Sequence, residues 1–302
     1  MNYLFGISVV AISILLSSPI FGLISGIVFV TIFKKPNIII SKSIGTYMLQ
    51  TGIVILGFTI SSSTALDLTS SFFIHISFYV IVIFVIGLLL ARVLKIKISL
   101  GILISSGTAI CGATAIAAVS NIIKATPRDI LISLGIIFFF NALAIIFLPL
   151  IGKYLEMNAH DFGAFAALAI HDTSSVIGAA MTFGDDALDS AVTLKLLRTL
   201  WLIPLVIMMG IYYGDKDTKL SLPLFVIFFA IAVFVGSLVN FQYEIIYIFN
   251  SLSKALIIGA LFCIGAQFDM QTTEIINFKN LLYSLSLWII ALITSFLLIY
   301  IY

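Results

Sequence analysis

Charge is what this sequence has least of. Only 9% of its 302 residues are Asp, Glu, Lys or Arg, where soluble domains carry about 25%. Mean hydropathy is +1.27. The net charge of +2 leaves no basic surface for nucleic acid. No polar stretch exceeds roughly a dozen residues, which excludes a separate soluble domain. The two cysteines, Cys111 and Cys263, form no CxxC and no disulfide framework. GxxxxGK[ST] and GxSxG are both absent, so neither P-loop nor nucleophile-elbow chemistry has its motif. No pattern calls for a cofactor or a metal. Met1–Phe33 carries no charge. A signal peptide would have a basic n-region, so this stretch is expected to be retained.

What is present is apolar sequence in lengths that suit a bilayer, at about 20 residues per transmembrane helix. Met1–Phe33 is interrupted by Ser17-Ser18-Pro19 and reads as two short helices, with a single kinked span as the alternative. There follow Ser43–Ile60, Phe72–Ala91, Ile98–Lys124, Ile130–Ile151, Phe162–Gly184, Ala191–Tyr213, Leu220–Val239, Ser251–Phe268 and Asn280–Tyr302. The expectation is an all-α polytopic membrane protein of about ten to eleven elements. A single membrane unit is expected, with N-terminal helices over 1–97, broken-helix core elements over 98–213 and C-terminal helices over 214–302.

Lys and Arg in short loops mark the cytoplasmic side. They occur at Lys34-Lys35, at Arg92, Lys95 and Lys97, at Lys216 and Lys219, and at Lys279. The loops around Asp67, Asp185-Asp186-Asp189 and Glu244 lack them and are expected outside, as is the C-terminus. One element has two solutions. If 98–124 crosses, Lys124 and Arg128 lie outside; if it re-enters as a hairpin, they stay inside, as the charge rule prefers.

Two apolar stretches are broken by polar residues. In Ile98–Lys124 the break reads as Ser105-Ser106-Gly107-Thr108 with Cys111-Gly112. In Phe162–Gly184 it reads as His171-Asp172-Thr173-Ser174-Ser175. A break at membrane depth exposes backbone polar groups that survive only inside protein or against a wet cavity. Discontinuous helices of this kind hold substrate in secondary transporters. Ser105, Ser106 and Thr108 are expected to cap a half-helix beginning near Ala109, and Asp172, Thr173 and Ser174 to cap one running through Gly178. The N–H groups at such starts suit an anion. The plain alternatives are small-residue helix packing at the first break and simple capping at the second. His171 titrates near neutral pH, so it or Asp172 could couple a proton. The breaks, and the pair LGFTISSSTALDL and IGAQFDMQTTEII, share faint similarity of the sort an inverted repeat leaves.

Lys195 and Arg198 are three residues apart in SAVTLKLLRTLWLIP and so lie on one helix face. Two cations facing a bundle want an anion: Asp172, Asp189 or a substrate. Snorkelling to the interface is the alternative. Gln50, Asn141 and Gln267 are lone amides of the sort that usually bond between helices. His75 reads as interfacial, and Trp201 and Trp288 add nothing further.

SGTAICGATAIAAVSNIIKA at Ser106–Ala125, AIHDTSSVIGAA at Ala169–Ala180 and KLLRTLWLIPL at Lys195–Leu205 resemble, in order, the motifs of the YeiH-type family of proposed sulfate exporters, and GIVILGF at Gly52–Phe58 resembles an earlier element of it. The likeness runs from the KKP loop to the end; the N-terminus is shorter than that family's. It implies kinship with the anion and cation/proton transporter superfamily built on two inverted repeats. The function expected is secondary active transport of a small anion, such as sulfate or a related sulfur oxyanion. Its candidate binding residues are Ser105, Ser106, Gly107, Thr108, Cys111, Gly112, Thr173, Ser174, Ser175, Lys195 and Arg198. The alternative in the same class is a sodium/proton or other cation antiporter using Asp172. An intramembrane enzyme fits less well, because adjacent His171 and Asp172 diverge by about 100° on a helix and cannot form a triad. Expected partners are the anion and the bilayer, with no nucleic acid; a homodimer is the one protein assembly considered. The expected location is the bacterial cytoplasmic membrane.

Overall fold

The computed structural model describes residues 2–33, 42–213, 224–239, 241–266 and 277–300. Lys34, Lys35, Lys216, Lys219, Gln267 and most of the IGAQFDMQTTEII stretch lie outside the described residues. The described residues hold helices and no strand. They are α1 (Asn2–Leu15), α2 (Pro19–Phe33), α3 (Lys42–Gly57), α4 (Ser62–Val93), α5 (Ile98–Ala109), α6 (Ala113–Ile122), α7 (Pro127–Tyr154), α8 (Ala159–Ala169) and α9 (Thr173–Phe183). After a 3₁₀ turn at Asp185–Ala187 come α10 (Leu188–Leu200), α11 (Leu202–Tyr213), α12 (Leu224–Val239), α13 (Tyr243–Gly265) and α14 (Phe278–Tyr300). Among these, α4, α7, the α10–α11 run, α13 and α14 are long and apolar enough to cross a membrane.

Helix α7 organises the centre. Thr126 caps it by accepting the Asp129 N–H at 3.3 Å, with Pro127 in the first turn, where a missing N–H costs nothing. Its 28 residues span about 42 Å at 1.5 Å per residue, more than the hydrocarbon core.

At its N-terminal end, the Lys97 Nζ donates to Asp129 Oδ2 at 2.6 Å and the Ser99 hydroxyl donates to the same oxygen at 2.7 Å. The residues that open α5 therefore touch the residue that opens α7. The chain between them goes in and comes back: α5–α6 is a re-entrant hairpin. Of the two expected solutions, this geometry matches the hairpin.

At the other end of α7 the second hairpin is pinned the same way. Phe162 near the start of α8 and Phe183 at the end of α9 stack with centroids 4.0 Å apart and planes 8° from parallel. Both lie against Gly152, where a Cβ would meet Phe162 at 2.4 Å and Phe183 at 3.0 Å. Each hairpin arm has 10 to 12 residues, about 15–18 Å, so the tips reach half-way into a core of about 30 Å. There they meet. Gly112 holds φ +55° and a Cβ on it would sit 3.4 Å from the carbonyl carbon of His171 and 3.5 Å from Cβ of Asp172.

Helix α10 passes behind the tips, packed on α4, α8 and α9, and α14 packs on α4 and α8. A second group, α1, α2, α3, α12 and α13, stands alongside. Its centre is the α2–α13 contact, where a Cβ on Gly26 would lie 2.2 Å from the Phe262 carbonyl oxygen and one on Gly265 the same distance from that of Leu23. Such close approach is how helices adhere where no hydrophobic effect acts between them. Val9 and Val10 pack beside Phe29 and Phe262, so the Ser17-Ser18 turn folds α1 back on α2: two helices, not one kinked span. Helix α4 starts ten residues earlier than the Phe72 expected, and Asp67 lies within it. Residues 62–71 contain no Gly or Pro to stop the helix propagating.

Candidate functional site

A half-helix ending at membrane depth leaves carbonyls without partners, and each needs a donor. Lys195 and Arg198, both fully buried, supply them. The Lys195 ammonium donates to the carbonyls of Ile110 at 3.2 Å, Ile170 at 2.7 Å and His171 at 2.7 Å. The Arg198 Nε donates to Ala109 at 2.9 Å, and its Nη1 to Ala167, Leu168 and Ile170 at 2.7–3.0 Å. Its Nη2 donates to Thr108. The Trp288 indole N–H donates to Ala169 at 3.2 Å. Backbone N–H groups of Ile110, Gly112 and Ile170 close the Ser106, Gly107 and Ala166 carbonyls. The Thr114 and Ile116 N–H groups close the Cys111 and Gly112 carbonyls, so every carbonyl from 106 to 112 and from 166 to 171 is paired.

The two cations thus sit at the C-terminal, partially negative ends of α5 and α8, where positive charge is favoured. Among the described residues no carboxylate lies within ion-pair distance of either. The partner expected as Asp172, Asp189 or substrate is the backbone of both hairpins, and the two side chains do not snorkel.

The N-terminal ends point the other way. Asp172 caps α9, its Oδ1 accepting the Ser175 N–H at 2.6 Å and the Ser174 hydroxyl at 2.9 Å. Its Oδ2 accepts the Asn141 side-chain amide at 2.5 Å. The Asn141 Oδ1 in turn faces the His171 backbone N–H at 3.2 Å and its ring Nδ1 at 3.1 Å. Since that oxygen only accepts, the ring nitrogen facing it carries the proton. The His171 ring is buried close to Phe140 and Trp288. The Cys111 sulfur is in hydrogen-bond contact with the Ala115 N–H and the Thr114 side chain, at the start of α6.

These ends open onto a cavity of about 190 Å³ between the hairpin group and the α2–α3–α12–α13 group. The hairpins and α7 contribute Cys111, Thr114, Asn141, Asp172 and Thr173–Ser175. The facing wall contributes Thr46 and Gln50 among apolar side chains.

Several residues lie elsewhere than expected. Ser105 and Ser106 do not cap a helix. Their hydroxyls bond back to the carbonyls of Gly101 at 2.6 Å and Ile102 at 2.7 Å inside α5, which runs on to Ala109. Ser105 also meets the Tyr283 hydroxyl at 2.9 Å. Thr108 contributes its carbonyl to Arg198 and Gly107 packs against Ile116. The break is Ile110–Gly112, and the new helix begins at Ala113. None of Ser105, Ser106, Gly107, Thr108, Gly112, His171, Lys195 or Arg198 lines the cavity; Cys111, Asp172, Thr173, Ser174 and Ser175 do. Asn141 and Gln50, expected to bond between helices, also line the cavity, as does Thr114, which no sequence feature singled out; Asn141 does bond across helices, to Asp172 and His171. Asn141 and Gln50 carried a signal, an amide in an apolar helix, and Trp288 carried one that went unread.

Paired hairpins meeting at mid-depth in an all-helical bundle with several spanning-length helices define a multi-pass membrane protein. The chain belongs to the family described as conserved hypothetical protein 698, which matches residues 3–284. It is 34% identical over 185 residues to a UPF0324 membrane protein of Bacteroides thetaiotaomicron, covering 61% of this chain and 56% of the relative. It is 38% identical over 186 residues to one of Vibrio vulnificus, covering 59% of each. It is also 38% identical over 177 residues to one of Photobacterium profundum, covering 57% and 53%. The matches thus span between half and three-fifths of these relatives. Their names state a membrane protein and no activity. No solved structure matches.

Proposed function

We propose that the protein is a secondary active transporter of a small anion, working by alternating access. The observation that carries this reading is the arrangement of helix ends. The partially positive starts of α6 and α9 open on one cavity, while the negative ends of α5 and α8 are neutralised from behind by Lys195 and Arg198. The polar side of the cavity is therefore biased toward negative charge. The two hairpins, entering from opposite ends of α7, are read as the inverted pair of a transporter fold.

Sulfate, the cargo that the resemblance implies, is one member of the anion class. No P-loop is available, so the driving force is an ion gradient or the cargo's own. Asp172 lines the cavity and His171 does not, which supports Asp172 over His171 as the proton-coupling group of this proposal. Asp172 also supports the cation-antiporter reading. Against it, three donors already surround the carboxylate and two cations lie behind it. An enzyme is disfavoured because the His171 ring faces an amide and the Ser174 hydroxyl is donated to Asp172, leaving no nucleophile–base pair there. Lys and Arg placement sets the α5–α6 ends and the start of α14 inside, and the C-terminus outside, in a bacterial cytoplasmic membrane. A homodimer remains part of the proposal.

The test is flux of labelled anions in proteoliposomes, with and without a pH gradient. Anion uptake above empty vesicles is expected. Sodium- or proton-driven cation exchange with no anion movement would replace the reading by the antiporter.

A further inference from the structure

The cavity is two-sided, and its second side bears on what the cargo is. Opposite the hairpin tips stand Leu23, Ile27, Leu49, Ile53, Phe225 and Ile264, and α7 adds Phe138 and Ile145 along one flank. Among the described residues, the polar side chains on the facing wall are Thr46 and Gln50, both on α3.

On the tip side many donors are already engaged. The Ser175 N–H and the Ser174 hydroxyl go to Asp172, the Ala115 N–H to Cys111, and the Thr114 N–H to the Cys111 carbonyl at 3.3 Å. The Thr114 side chain is likewise in hydrogen-bond contact with the Cys111 sulfur. What remains is a cluster of first-turn N–H groups at Ala113, Thr173 and Ser174, which helix geometry leaves without an intrahelical acceptor, and the hydroxyl of Thr173.

That set serves one compact head group on one side. It does not surround a dianion. Four sulfate oxygens would need donors in all directions, and those turned to the apolar wall would lose water without replacement. A second negative charge would also lie beside the Asp172 carboxylate.

Resting on the proposed function, the geometry points to a narrower cargo: an organic monoanion with a sulfonate or carboxylate head and a short apolar body. The head sits at the starts of α6 and α9. The body lies against Leu23, Leu49 and Phe225. The cavity is smaller than the roughly 300–1,000 Å³ of sites for drug-sized ligands, so the body is short.

Alkanesulfonates test this directly. They present a trigonal sulfur–oxygen face like that of sulfate, but carry one charge and a tail of chosen length. In proteoliposomes, labelled propanesulfonate and labelled sulfate are each offered as cargo, with methane- to pentanesulfonate as competitors. Propanesulfonate is expected to be moved, with sulfate at least tenfold weaker. Competition should strengthen about threefold to fourfold per methylene, as burial of each CH₂ implies, and then stop when the cavity is full. Leu49→Asn should flatten that series, with the longest sulfonates losing most. Because the series is measured on the unaltered protein, the result does not depend on how the variant folds. Sulfate moved as well as or better than every sulfonate, or a series flat with chain length, would overturn the cargo class and leave anion transport standing. Absence of flux for sulfate and propanesulfonate alike would remove the anion-transport reading itself.

Discussion

Lys97 and Asp129 lie 32 positions apart in the chain and 2.6 Å apart in space. Everything between them must therefore leave one face of the protein and return to it. The pairing fixes a topology that length alone left open.

Accessibility labelling of single cysteines checks that topology. Lys97→Cys and Arg128→Cys should react with a membrane-impermeant reagent from the same side, and Asp186→Cys only from the other. Reaction of the first two from opposite sides would restore a full crossing for residues 98–124.

Arg198 makes five hydrogen bonds to five backbone carbonyls. Lysine has three donors and only the Ile170 carbonyl has a second donor, in Lys195, so Arg198→Lys leaves at least one carbonyl bare, at a cost of about 1–3 kcal/mol each. Thermal unfolding in detergent should fall clearly for Arg198→Lys and further for Arg198→Ala. A variant of Arg198→Ala that is as stable as the parent but has lost anion affinity would place this side chain with the cargo instead.

Asp172 is cap and cavity charge together, and substitutions separate the two. Asp172→Ala should destabilise the protein by about 1 kcal/mol through the lost cap. Asp172→Asn keeps an accepting oxygen for the Ser175 N–H, so stability should change less while the pH dependence of flux disappears. His171→Gln should leave that pH dependence in place, since the ring sits behind the tip. Flux that keeps its pH profile in Asp172→Asn and loses it in His171→Gln would reverse the assignment.

Gly112 has φ +55° and ψ −118°, a region that residues with a Cβ rarely adopt. Gly112→Ala should cost about 1–3 kcal/mol in thermal stability, with a reduced flux as the tip shifts. Gly184, where nothing lies within 4 Å of an added Cβ, is the control: Gly184→Ala should change stability by less.

The sequence made the helical class, the two interruptions and the Asp172 cap visible, because apolar length and an N-cap residue leave local signatures. The first interruption was misplaced by a few residues. Ser105 and Ser106 look like caps, but inside an apolar helix a serine hydroxyl can bond its own i−4 carbonyl, as both do here. The partners of Lys195 and Arg198 were illegible for a different reason. A cation's sequence context suggests side-chain acids, whereas these two meet carbonyls that any residue would supply. Asn141 was visible only as a lone amide. Its bridge between His171 and Asp172 depends on α7 passing the tip of the other hairpin, which no local pattern encodes.

Lys195 and Arg198 grip both hairpins from one helix, with three bonds to the first tip and five to the second. Parting the tips would strip buried carbonyls of their donors and leave two cations bare in a dry interior. The hairpins therefore cannot swing as independent gates; they are riveted into one block. On the proposed reading, a change in which face of the membrane the cavity meets comes from sliding or rocking that block against the α2–α3–α12–α13 wall, a seam that also carries the Lys254–Asp185 ion pair at 2.6 Å and the Ser62 N–H donated to the Ser237 hydroxyl at 2.6 Å.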